Sequence, residues 1–252
     1  MMSIDLNCDL GEGHTVTSVE VDEEIMPLIT SANIACGFHA SNPLLMEKTV
    51  RLAKRHGVAV GAHPSYADPH TFGRREMVIQ PEQLRADLIY QIGALSAICR
   101  SEGVALHHVK AHGALYNRAA IDGETARTVA AAIRDCAPEA SMVCLAGSRM
   151  TAAAKEFGVR FVTEAFADRA YAADGTLVSR SHEGAVLYDP PVVAERLVRM
   201  LREKCVETVD GSIIPIVFQT VCVHGDTPGA IDMIREIRRR LTEENFRIAP
   251  FG

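Results

Sequence analysis

Short β-type apolar runs alternate with amphipathic helical stretches from one end of the chain to the other. The strand-like runs fall at residues 4–10, 32–38, 58–62, 105–111, 142–146, 159–163 and 215–223. Helical periodicity fills 22–28, 43–56, 81–102, 123–136, 149–157, 190–206 and 228–244, with Pro at or near several helix starts and Gly57 and Gly103 as stops. This alternation predicts an α/β fold: a single TIM-like (β/α) barrel of about seven parallel strands spanning residues 1–252. A doubly wound open sheet is the alternative. Residues 208–212 read as a hairpin turn, and residues 167–188 form a long polar connection of the kind that is more often functional than idle.

Period-two reading of the strands separates the face under the helices from the face turned into the barrel. In the first strand Ile4, Leu6, Cys8 and Leu10 share one face, and Asp5, Asn7 and Asp9 the other. His39 follows Asn33, Ala35 and Gly37; His63 follows Ala59 and Gly61; His108, Lys110 and His112 alternate; His224 aligns with Thr220 and Cys222. Glu164 and Asp168 extend the sixth strand toward the same side. An ordinary barrel fills its interior with branched aliphatic side chains, so these small and polar residues predict a polar cavity at the carboxyl ends of the strands, where such folds build their sites. A lone strand-end histidine is usually a packed or hydrogen-bonded residue; several beside Asp9, Lys110 and Glu164 point to an enzyme.

Composition narrows the classes. The 252 residues are 48% hydrophobic and 23% charged, enough for a full core, and the net charge of -6 argues against nucleic acid or an anionic membrane surface as partner. No apolar run approaches the ~20 residues that span a bilayer, and the N-terminus lacks a basic segment followed by an apolar one, so a cytoplasmic protein is expected. Seven scattered cysteines without a C-x-x-C pair fit a reducing compartment; Cys36 and Cys222 lie near the rim but read first as core residues. There is no phosphate loop, dinucleotide fingerprint, nucleophile elbow or zinc helix. Asp9, His39 and His63 form a candidate divalent-metal trio. Arg74-Arg75 after Phe72-Gly73 reads equally as a carboxylate clamp or a solvated turn.

The rim segments also form a recognisable set. Asp5-Leu6-Asn7-Cys8-Asp9-Leu10-Gly11-Glu12, Ser31-Ala32-Asn33-Ile34-Ala35-Cys36-Gly37-Phe38-His39-Ala40, Gly61-Ala62-His63-Pro64-Ser65, Phe72-Gly73-Arg74, Val109-Lys110-Ala111-His112-Gly113-Ala114-Leu115-Tyr116-Asn117, Phe166-Ala167-Asp168-Arg169 and Gln219-Thr220-Val221-Cys222-Val223-His224-Gly225-Asp226 strongly resemble the LamB/YcsF family. Two departures stand out: Ser41-Asn42 where the family usually reads Gly-Asp, and Ala111 where it reads Pro.

The resemblance implies a barrel related to the glycoside hydrolase/deacetylase type, and an ATP-dependent 5-oxoprolinase activity. That activity hydrolyses 5-oxo-L-proline (pyroglutamate) to L-glutamate together with two further subunits, of B and C type. A five-membered lactam closes with a high effective molarity, so opening it needs an energy source as well as a catalyst. With no phosphate cradle in this chain, ATP is expected on the partner subunits. Asp9, His39 and His63 are assigned to activating water, directly or through a metal, and Lys110 and His112 to the oxyanion or the ring nitrogen. Arg74 or Arg169 would hold the substrate carboxylate, and Asn7, Asp168 and His224 would complete the binding rim. Two alternatives are a metal-dependent carbohydrate deacetylase and a non-catalytic subunit that only captures the lactam.

Overall fold

The structure, a computed structural model, describes residues 2–13, 19–223 and 229–252. Seven parallel strands close into a barrel: β1 (Ser3–Leu10), β2 (Ser31–Ala35), β3 (Ala59–His63), β4 (Leu106–Val109), β5 (Ser141–Leu145), β6 (Phe161–Phe166) and β9 (Thr220–Cys222). Strand β9 bonds to β6 on one side and β1 on the other, placing Thr220 opposite both Glu164 and Asp5. That double pairing leaves no free edge and removes the open-sheet alternative. Before it comes the expected hairpin, β7 (Cys205–Glu207) with β8 (Ile213–Pro215), while β10 (Arg247–Ile248) pairs with the start of β1 outside the ring.

Around the strands lie α1 (Val19–Ile25), α2 (Pro43–His56), α3 (Pro81–Ser101), α4 (Gly113–Ile121), α5 (Gly123–Cys136), α6 (Arg149–Glu156), α7 (Pro190–Glu203) and α8 (Ala230–Glu243). Local chemistry explains their ends. Asn42 accepts the Leu45 amide at 3.0 Å with Pro43 in the first turn of α2, and Asp189 does the same for Val192 at 3.1 Å ahead of Pro190 in α7. Helix α4 is the element that the periodicity misses, because it is short and opens on a glycine. The predicted strand 32–38 stops at Ala35, so His39 sits on a loop, and the predicted run 215–223 divides between β8 and β9.

The two faces of β1 behave as their alternation requires. Ile4, Leu6, Cys8 and Leu10 are buried in the apolar core, while Asp5, Asn7 and Asp9 are equally buried but polar. Burial of carboxylates inside a barrel is costly unless each finds partners. Asp5 finds three hydroxyls: those of Thr30 and Ser31, each at 2.7 Å, and that of Thr220.

The substituted pair Ser41-Asn42 has a clear backbone reading. Asn42 keeps the capping oxygen of α2, so its replacement of an aspartate preserves the cap. Ser41 has φ 80°, a conformation in which glycine carries no penalty, and its buried hydroxyl has no hydrogen-bond partner among the described residues. Ser41→Gly should therefore stabilise the fold by about 1 kcal/mol in urea denaturation, and a loss of stability would contradict this account.

At the end of β1, the Gly11 amide donates to Asp22 at 2.9 Å, tying α1 to the strand. Burial pushes the Asp22 carboxyl up to about 6, against that hydrogen bond. For an acid raised in the folded state, the stability is present below the ordinary value of 3.8 and is lost as the pH rises through about 6. Asp22→Asn, which keeps an acceptor for Gly11, should flatten the fall in stability between these pH values by on the order of 2 kcal/mol; an unchanged slope in denaturant titrations would exclude Asp22 as its source.

Candidate active site

The inward side chains form two adjoining polar clusters joined through Asp9 and His63. The first is centred on Lys110, which follows β4 and is 2% exposed. Its ammonium donates to Asn7 at 3.1 Å and Asp9 at 3.2 Å and forms an ion pair with Glu164 at 2.9 Å. Burial alone would lower this amine, but the Asp9 and Glu164 carboxylates outweigh it and hold it well above its usual value. The acceptors are themselves fixed from several strands. Asn7 donates to Glu164 and to Thr220, Asn33 donates to Asn7 and Asp9, and Tyr116 donates to the second oxygen of Glu164 at 2.6 Å. His108 donates to Asn33 at 2.7 Å and is held neutral by burial. Its ring occupies the space that a side chain at position 61 would take: a Cβ on Gly61 would lie 2.0 Å from His108 Nε2. The register between β3 and β4 shifts at the same point, between Val60 and Gly61.

The second cluster gathers Glu12, His39, His63 and His112. The rings of His39 and His112 stack with centroids 3.8 Å apart, and His63 stands edge-on to both. A loop carrying Phe72, at φ 56°, and Gly73 closes over them. Gly73 is required there, since a Cβ would come within 2.9 Å of His112 and 3.0 Å of His39. Burial drives the His39 imidazole down to about 4, with Glu12 pulling the other way and His112 and His63 adding to the fall. For His63 burial also opposes the charge, yet Asp9 at 3.4 Å and Glu12 outweigh it and raise its affinity for a proton. Glu12 resists protonation: burial favours its neutral form, but contacts with His112 and His39 hold it well below the usual carboxylate range.

Asp9, Glu12, His63, Lys110, His112 and Tyr116 line one cavity of about 450 Å³, a size suited to a small metabolite. Arg74, Arg169 and Arg180 line it too. The connection 167–188 supplies several of these walls, and its ends are tied by bridges between Arg169 and Val186 and between Tyr171 and Leu177. Arg169 donates to the Ala185 and Val178 carbonyls, and burial together with Arg180 lowers it to about 10.

The site residues expected from sequence are distributed unevenly. Asp9, His63, Lys110, His112, Arg74 and Arg169 line the cavity, and His39 adjoins it through Glu12. Asn7 is buried in the hydrogen-bond network, and Asp168 is buried without lining the cavity. His224 lies outside the described residues. Within the proposed trio, Asp9 is engaged by Lys110 and Asn33, and the carboxylate that lies among the imidazoles is that of Glu12. Sequence reasoning also missed Tyr116 and Arg180 as cavity residues. Glu12 had a signal, since it lies on the rim just past β1, whereas Arg180 had none.

The profile of the LamB/YcsF family matches residues 4–252. The A-type 5-oxoprolinase subunit of Pyrococcus furiosus is 49% identical across 100% of this chain and 98% of that protein. That of Clostridium beijerinckii is 46% identical, covering 99% of this chain and 98% of its own length. Among solved structures, a lactam utilization protein from Thermus thermophilus superposes with a TM-score of 0.93 at 45% identity, covering 99% of this chain and 100% of that one.

The Lys110 cluster generates a stability test. Lys110→Met keeps the volume but leaves the Asp9 and Glu164 carboxylates buried beside each other without a cation, which should cost roughly 3–5 kcal/mol. Denaturant unfolding checks this, and a loss below about 1 kcal/mol would show that the buried pair does not need the ammonium.

Proposed function

The chain belongs to the LamB/YcsF family, and from that premise we propose that it is the lactam-handling subunit of an ATP-dependent 5-oxoprolinase. One observation carries the reading beyond the relatives' names: a single small cavity is lined by carboxylate, imidazole and ammonium groups together with three arginines. A substrate bearing a carboxylate on a small polar ring suits that lining. Acetylated sugar, the alternative substrate for this barrel type, is not favoured by relatives that match end to end.

In this reading Arg74, Arg169 and Arg180 attract the substrate carboxylate, which orients the lactam carbonyl toward Asp9, His63 and Lys110. Asp9, 3.4 Å from the His63 ring, accepts the proton of an attacking water. Lys110 donates to Asn7 and Asp9 and pairs with Glu164, so its role is electrostatic: its charge favours ionised Asp9 and offsets negative charge developing on the carbonyl oxygen. The proton taken up by Asp9 then passes to the opening ring nitrogen as the C–N bond breaks. Two partner subunits, of B and C type, bind most of the ATP and deliver the energy that the stable five-membered ring demands.

Glutamate production from 5-oxoproline and ATP, measured with the partner subunits present, tests the assignment. Asp9→Asn should lower kcat by roughly 10²-fold or more, and near-normal turnover would remove Asp9 from the chemistry. For the arginines the effect should fall on binding: Arg74→Ala and Arg180→Ala should each raise KM by about tenfold while kcat changes little. An unchanged KM in both would mean that the carboxylate is held elsewhere.

A further inference from the structure

We infer that Glu12, His39, His63 and His112 form a binding site for one divalent transition-metal ion of the zinc type. The positions of the ring hydrogens decide it. His63 Nδ1 faces the Lys110 carbonyl at 2.7 Å, and His112 Nε2 faces the Phe72 carbonyl at 2.8 Å. A carbonyl only accepts, so both of these nitrogens carry hydrogen. The opposite nitrogens, His63 Nε2 and His112 Nδ1, therefore present lone pairs in the neutral rings, yet they lie 3.0 Å apart. His39 follows the same pattern. Ser65 gives its hydroxyl hydrogen to the Tyr66 carbonyl at 2.8 Å, so His39 Nδ1, 3.0 Å away, donates to Ser65 and its Nε2 is left bare. That bare nitrogen points at Glu12 Oε1, 3.0 Å off.

With the three rings neutral, three imidazole lone pairs and a carboxylate thus converge with no hydrogen among them, and four acceptors in contact repel unless a metal ion, or an added proton, lies between. The spacing suits one. Tetrahedral zinc with ligands at ~2.0–2.1 Å needs ligand atoms about 3.3 Å from one another. Here the separations are 3.0 Å for His63–His112, 3.0 Å for His39–Glu12, 3.3 Å for His112–Glu12 and 3.9 Å for His63–Glu12, and all four ligand atoms lie within 4.8 Å of one another, so an ion would draw the widest pairs inward. The outer nitrogens bonded to fixed acceptors are what orient metal-binding histidines generally. Those acceptors are themselves fixed: Gln91 clamps the main chain of Ser65, and the Gly73 carbonyl next to Phe72 binds the Ala114 amide. Three nitrogens and one oxygen select zinc, cobalt or nickel over magnesium and calcium, which take oxygen cages.

Zinc binding is measured on this chain alone and glutamate production with the partner subunits, so the two readings fail separately. The full chain, stripped with chelator and returned to buffer, should bind Zn²⁺ with a stoichiometry of about one in calorimetry, and Co²⁺ should give a visible absorption band of tetrahedral intensity. Mg²⁺ should not compete. Glu12→Gln, on the cavity side, and His112→Gln should each weaken Zn²⁺ binding at least about tenfold while far-ultraviolet circular dichroism stays that of the parent. Absence of saturable Zn²⁺ binding by the parent chain would overturn the proposal, with a proton shared by His63 and His112 as the remaining explanation of their contact. Undiminished binding in Glu12→Gln and in a folded His112→Gln, or equal binding of Mg²⁺, would overturn it as well.

Discussion

The ammonium of Lys110 inside the barrel is the constraint to which the other inward residues answer. A buried cation needs compensating charge and a full set of acceptors. These come from two different strands, because Asn7 and Asp9 belong to β1 and Glu164 to β6. Each acceptor then needs its own partner, which brings in Asn33 from β2, Tyr116 from α4, Thr220 from β9 and His108 from β4. Polar groups on five strands are thereby satisfied through one chain of bonds, and a change at any one position is felt by the rest.

The same demand shapes the cavity. Small residues opposite large polar ones make room: Gly61 gives way to His108, and Gly73 lies against His39 and His112. Filling the interior with hydrogen-bonded groups in place of aliphatic layers gives up some apolar burial and yields a charged wall in return. The Lys110 cluster and the histidine cluster meet at Asp9 and His63, so charge in either is felt by the other across 3.4 Å.

Much of this was legible along the chain because a strand alternates its faces. The row Asp5, Asn7, Asp9 could only be an inner face of β1 once Ile4, Leu6, Cys8 and Leu10 were given to the helices, and His108, Lys110 and His112 alternate likewise. Illegible features depended on loops. His39 lies beyond its strand, and Glu12 lies past the end of β1, where side-chain direction follows turn geometry rather than period two. Helix α4 escaped notice, and with it the placement of Tyr116 against Glu164. The arginines of the connection 167–188 were visible as residues, but their approach to the cavity depends on how that segment folds back.

The sequence by itself determined the alternation of strand and helix, the polar inner face, and the small residues that leave it room, since each follows from local periodicity and side-chain size. It could equally name Asp9 as a carboxylate near two histidines. Only the tertiary structure decided that β9 closes the ring, that Lys110 claims Asp9, and that Glu12 stands among three imidazoles whose hydrogens point outward. The reason is physical. Hydrogen-bond direction and charge pairing act between atoms a few ångströms apart that lie tens or hundreds of residues apart in sequence, and nothing in a local pattern specifies which donor will find which acceptor.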